Sequence, residues 1–164
     1  MRDHFISELR KHFEEMGAIA QRAGRDAQDA AAHMATESEK KEDARVAIEF
    51  GSLAAAQADR LRQAREALEQ LELFVRRPLP DFARGVPIAL GAMVDISSEE
   101  GERTFILLPV GAGTELAGPG GDGFVSVITP ASPVGKALLG KLAGDTFDVQ
   151  IKGEWHEWAI ADVG

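Results

Sequence analysis

The first 75 residues carry apolar and small side chains at steps that alternate four and three. From Leu9 they fall at Leu9, Phe13, Met16, Ala20, Ala23, Ala27, Ala30 and Met34. A second series runs Phe50, Ala54, Gln57, Leu61, Ala64, Leu68, Leu71 and Val75. This is the a/d spacing of a heptad, filled in by Ala, Glu, Gln and Arg, and each series predicts one long helix. Between them lies "ATESEKKED", Ala35 to Asp43, which holds small and charged residues but no glycine or proline. Two helices joined by a short turn lie antiparallel. Folding the chain back near residue 40 sets Leu9 by Leu71, Phe13 by Leu68, Met16 by Ala64, Ala20 by Leu61 and Ala30 by Phe50. The position numbers of each pair sum to 80 or 81, so one turn brings both seams into register. Several pairs match a large residue with a small one, as close packing requires. Gly17, Gly24 and Gly51 each cost about 1 kcal/mol relative to alanine in a helix, a cost that close approach of the two backbones would offset. Thr36 with Glu39 three residues on has the form of a capping box for the second helix, and Ser38 is an alternative cap. With roughly 35 residues per arm at about 1.5 Å each, the hairpin is expected to be on the order of 50 Å long. Its tip is then expected to reach into solvent or a partner rather than touch the second half.

The pattern changes at "RRPLPDFARGVP", where prolines end the helical part. "IALGAMVDI" and "RTFILLPV" read as strands around the turn "SSEEGE", and "FVSVITP" as a strand after the glycine-rich "GPGGDG". "SPVGKALLG" reads as a short helix with Ser132 as N-cap, Pro133 at its first position and Gly140 just past its end. "DTFDVQI" and "EWHEWAIADV" are two more alternating strands around "KGE". Five strands and one helix predict a small antiparallel sheet packed on a helix, an α+β domain. The expected division is a helical finger over 1–76, with its tip near 35–43, and a sheet domain over 77–164.

Composition narrows the chemistry. The chain has 164 residues, 45% apolar and 27% charged, which suits a globular protein. Without cysteine there is no disulfide, thiolate zinc site or cysteine nucleophile, as suits a reducing cytosol. No apolar run is long enough to span a bilayer and the first residues lack a signal-peptide pattern, so a cytoplasmic protein is expected. The net charge is −9, with the second half plainly acidic. Holding nucleic acid by its phosphates needs a basic face, so direct sequence-specific DNA binding is not expected, and a protein partner with basic surfaces is.

His4, His12, His33 and His156 show no zinc-type spacing. His156 is expected on the outer face of its strand. Trp155 and Trp158, three apart, are expected on opposite faces, one in the core and one exposed. Asp95, Glu99, Glu100 and Glu102 read as solvated charges in a turn. "GAGTELAGPGGDG" lacks the Gly-Lys-Ser/Thr ending of a phosphate loop and reads as a loop between strands, and no Gly-x-Ser-x-Gly elbow occurs.

"VITPASPVGKALLGKLAGDTFDV" resembles the C-terminal signature of the bacterial Gre transcription factors, GreA and GreB. The shared elements are Ser132-Pro133, Ala137-Leu138-Leu139-Gly140 and Gly144-Asp145 before a strand. The long helical hairpin ahead of it is also the layout of that family. The resemblance implies an FKBP-like sheet domain docking at the rim of the secondary channel of RNA polymerase, with Ser132 and Pro133 on the docking face. It implies a coiled-coil finger that enters the channel and brings acidic tip residues to the active-site magnesium. In the cleavage factors those carboxylates help hold a second metal and a water, and the polymerase hydrolyses its backtracked transcript. Mg²⁺ is a hard cation that takes oxygen ligands, and two metals stabilise both the attacking and the leaving oxygen. The factor is then an accessory to another enzyme's active site, with no cofactor of its own beyond Mg²⁺ shared with polymerase.

The tip departs from the family's Asp-Leu-Ser-Glu-Asn pattern. Glu39 aligns with the family glutamate and is the candidate catalytic and metal-binding carboxylate. Thr36 stands where the family has aspartate, Lys40 where it has asparagine, and Lys41 follows. A lysine pair opposes metal binding by charge repulsion. Glu37, Glu42 and Asp43 are the candidate substitutes. Two outcomes stay open: stimulation of transcript cleavage, or a non-cleaving regulator that occupies the channel. Ser132-Pro133 is fully accounted for as a helix start, which is compatible with docking. Two other classes compete. An FKBP-type prolyl isomerase needs an aromatic-lined pocket, while aromatics make up 6% of the chain and tyrosine is absent. A structural coiled-coil protein would assemble through its seam, whereas a channel factor is expected to be a monomer.

Overall fold

The computed structural model describes the backbone of residues 1–37, 41–82 and 85–164, and the side chains of 1–34, 44–82 and 85–164. Two helices come first, α1 (Arg2–Glu37) and α2 (Lys41–Val75). They are followed by β1 (Met93–Ser98), β2 (Gly101–Leu107), β3 (Glu115–Ala117), β4 (Phe124–Ile128), α3 (Pro133–Leu138), β5 (Thr146–Ile151) and β6 (Glu154–Val163). Contacts divide the chain into two compact units, Arg10–Glu69 and the union of Met1–Leu9 with Gln70–Gly164.

The Arg10–Glu69 unit is an antiparallel helical pair. A side chain at Gly17 would touch Ala64 Cβ at 3.5 Å and Leu61 Cδ1 at 3.6 Å; one at Gly24 would meet Gln57 Cβ at 3.3 Å. The pairs Gly17–Ala64 and Gly24–Gln57 both sum to 81, the register read from the heptads. In this unit Phe13, Ala20, Ala27 and Ala64 are buried, and the remaining seam positions are half-buried. The glycines at 17 and 24 therefore sit where the backbones come close, as expected. Gly51 does not: nothing lies within 4 Å of a Cβ placed there, and the residue is exposed. At about 1.5 Å per residue, the 10–37 stretch of α1 is about 42 Å long. On the exposed surface Arg62 bridges Asp59 (2.8 Å) and Glu66 (2.7 Å), one turn away on either side. The hydrogen bond to Asp59, then that to Glu66, raises the guanidinium pKa further above its usual value.

The other unit is built on a six-stranded sheet in the order β3-β4-β2-β1-β6-β5. Two features depart from the expected five antiparallel strands. Strand β3 forms inside the glycine-rich segment, pairing Leu116 with Val125, and β4 runs parallel to β2, pairing Ile106 with Val127. All other pairs are antiparallel, with an irregularity between Asp95 and Ile96 where β1 meets β6. Alternation places Val94 and Ile96 of β1, Phe147 and Val149 of β5, and Trp158 and Ile160 of β6 in one core, closed by Leu138 of α3. Phe105 stacks on Trp158 at 5.8 Å and Phe147 meets it edge-on at 5.8 Å.

The helix ends that belong to this unit pack within it. A Cβ at Gly111, whose φ is +91°, would lie 2.8 Å from Leu9 Cδ1, and Phe74 Cζ lies 3.4 Å from that of Gly91. His4 Nε2 is 3.1 Å from the Ala117 carbonyl, and Arg2 donates to Pro80 O at 3.2 Å with its guanidinium over Phe82. No helix among the described residues is long and apolar enough to cross a membrane.

Candidate functional site

Two places carry the candidate residues. At the first, α1 ends at Glu37 and α2 begins at Lys41, so the connection falls inside the predicted tip. Glu39 lies outside the described residues. Glu37, Glu42 and Asp43 have helical backbone at the two helix ends, and their side chains also lie outside the described set. Among the described residues no group of three His, Asp or Glu side chains is placed to hold a metal ion, and no polar or charged residue is buried.

The second place is the start of α3, where Ser132 caps the helix from an extended backbone (φ −70°, ψ 153°) and Pro133 opens it. The Ser132 Oγ accepts from Gly135 N at 3.1 Å and from Thr129 N at 3.2 Å, and donates to Thr129 O at 2.8 Å. One hydroxyl thus ties the end of β4 to the first turn of α3. The turn is so tight that a Cβ at Gly135 would collide with the Thr129 carbonyl oxygen and sit 2.7 Å from its carbon. Gly135 was not singled out in the sequence, although it stands in the same "SPVGKALLG" run. At the other end of α3, Gly140 adopts φ +81° just past the helix and donates to Ile88 O at 2.8 Å, the C-terminal role expected of it. The Gly144-Asp145 pair is a turn device as well. Gly144 has φ +93°, and Asp145 Oδ2 accepts from Leu142 N at 2.8 Å.

Beside the Ser132 cap opens a cleft of about 370 Å³ between α3, the β2 and β4 strands and the β5–β6 turn. Phe105, Ile128, Val134 and Trp158 give it apolar walls. Two of the chain's ten aromatic residues, Phe105 and Trp158, line this cleft.

Several smaller expectations resolve here. Trp158 is buried at 2% exposure and Trp155 stands out at 70%, as their spacing implied. His156 does not line the outer face. It pairs with buried Val149 and is two residues from Trp158, so it shares the core side, half-buried, with Nδ1 3.6 Å from Glu100. Asp95 is a strand residue rather than a turn residue, and accepts from Thr104 Oγ1 across the β1–β2 pair at 2.6 Å. Glu99 and Glu100 are exposed turn residues, as expected, and Glu100 also pairs with Arg103 at 3.0 Å on the surface.

Residues 87–164, which hold the capped helix, the cleft and the Gly-Asp turn, match the family model described as transcription elongation factor GreA/GreB, C-terminal. Solved structures similar to the chain include GreA factor homolog 1 (Gfh1) of Thermus thermophilus, at 17% identity over 94% of both chains with a TM-score of 0.38. Another, described as the transcription factor Gfh1, is 23% identical over 92% of both chains at 0.40. The Gfh1 of Thermus aquaticus is 17% identical over 93% of this chain and 92% of that one at 0.38. No curated protein matches the chain.

Proposed function

We propose that this Gre-type factor docks on RNA polymerase with its sheet domain and occupies the secondary channel with its helical hairpin, modulating transcription without stimulating transcript cleavage. The observation that carries docking is the family match over 87–164, which contains the Ser132-Pro133 cap beside the apolar cleft. The antiparallel pair supports the second half of the reading: α1 and α2 meet in the predicted register at Gly17–Ala64 and Gly24–Gln57, and their connection falls in the charged segment. The tip chemistry argues for modulation. Thr36 supplies no carboxylate where the family has aspartate, and Lys40 and Lys41 place two cations beside Glu39. Mg²⁺ shared through Glu39, with Glu37, Glu42 or Asp43 assisting, would have to overcome that repulsion. The protein acts as an accessory factor rather than an enzyme, and as a monomer.

The deciding experiment is transcript cleavage by a stalled elongation complex with and without the protein, run beside a productive-elongation assay. Altered elongation with no added cleavage supports the proposal. Cleavage that is stimulated and then lost in Glu39→Ala would instead make this a cleavage factor. Absence of any binding to polymerase would remove the docking itself.

A further inference from the structure

The cleft beside α3 has an unusual electrostatic lining for the acidic half in which it lies. Among the described residues, the only charged side chains on its wall are two cations, Arg103 and Lys152. Arg103 is already held by Glu100 at 3.0 Å and lies 5.9 Å from the Trp158 ring centre. Lys152 makes no ion pair or side-chain hydrogen bond among the described residues.

The backbone under Lys152 adds a second observation. Lys152 and Gly153 form the two-residue loop between β5 and β6, closed by the Ile151–Glu154 pair, with φ of +51° and +92°. Positive φ at both positions is the type I′ pattern, which favours Asn, Asp or Gly at the first of them. Lys152 is the only described non-glycine residue at positive φ. An asparagine would suit the turn better, so the lysine is a poor choice for folding and needs another reason. Its position at the mouth of an apolar cleft supplies one.

We infer that this cleft takes a protein segment in which an apolar side chain, seated against Phe105, Ile128 and Val134, is flanked by a carboxylate that Lys152 receives. The inference rests on the docking reading above and gives the polymerase surface its chemistry: an apolar residue beside an acidic one. A nucleic acid fits less well, because the walls are apolar and the surrounding domain is acidic.

The test uses the full chain in two arms. In the first, affinity for core RNA polymerase is measured for the wild type, Lys152→Asn, Lys152→Glu and Lys141→Glu, the last making the same charge change off the cleft wall. An exposed rim charge predicts about threefold weaker binding for Lys152→Asn and about tenfold for Lys152→Glu, with Lys141→Glu within about twofold of wild type. Lys152→Asn should also melt about 1–3 °C higher, because the turn relaxes. In the second arm, amide NMR shifts are followed with a blocked hexapeptide of alternating leucine and glutamate, its leucine–lysine counterpart, and an oligouridylate. Shifts at Phe105, Ile128, Val134 and Lys152 with the acidic peptide alone support the inference. Wild-type polymerase affinity in Lys152→Glu, or equal losses in both glutamate variants, overturns it. So do cleft shifts with the lysine peptide or the RNA. If the wild type binds no polymerase yet the acidic peptide shifts the cleft, the docking reading fails and the cleft chemistry stands.

Discussion

Replacing Gly135 by alanine adds one methyl group to a protein of 164 residues, and the geometry makes it costly. The new carbon would overlap the Thr129 carbonyl oxygen, 2.7 Å from the carbonyl carbon and 2.9 Å from Ser132 Oγ. None of these is the end of a flexible chain, so either the 129–132 turn moves or α3 rotates outward. Overpacking of this kind costs about 1–3 kcal/mol. Movement of the turn also breaks bonds of the Ser132 hydroxyl, at 2.8, 3.1 and 3.2 Å, and loss of such a cap costs about 1–2 kcal/mol. Alanine's better helix propensity returns about 1 kcal/mol. The net is about 1–4 kcal/mol, or about 2–16 °C in melting midpoint for a chain this long. The assay is thermal unfolding followed by Trp158 emission in a Trp155→Phe background, since Trp158 is 2% exposed and Trp155 is 70% exposed. A Gly135→Ala midpoint within about 1 °C of the parent would refute the close-packed turn. The same variant should lose polymerase affinity, because α3 and the cleft move together.

Other substitutions separate the elements. Gly51→Ala meets nothing within 4 Å and should stabilise the helical pair by about 0.5–1 kcal/mol, read as slower amide exchange in α2. Ala64→Leu, at a buried position facing Gly17, should instead cost about 1–3 kcal/mol and speed exchange in both helices; unchanged exchange would contradict the register. Ser132→Ala should lower stability by about 1–2 kcal/mol in denaturant melts while leaving far-ultraviolet helicity nearly intact, since α3 is only six residues long. Phe147→Ala removes an aromatic that meets Trp158 edge-on and should cost about 3–5 kcal/mol, with a red shift of Trp158 emission.

The seams, the glycine approaches at 17 and 24, and the capped α3 were legible because each depends on residues close in sequence or joined by one turn. A heptad names the face that must be buried, and a single short connection leaves one register that pairs both seams. The short helix in "SPVGKALLG" could likewise be read, since capping and the Gly140 stop are local. Glu39 and the tip carboxylates were legible only as composition, and their geometry lies outside the described residues. The tertiary structure decided the rest. Strand β3 is three residues in a glycine-rich run, too short to show alternation, and exists because β4 offers it a partner. The parallel β2–β4 pairing and the core-side placement of His156 depend on chain segments meeting across the sheet. So does the cleft, which gathers its walls from four strands, α3 and a hairpin turn. Local sequence sets the period and ends of an element through side-chain size and backbone preference. Which elements become neighbours is settled by burial shared among distant residues, and no single stretch contains that information.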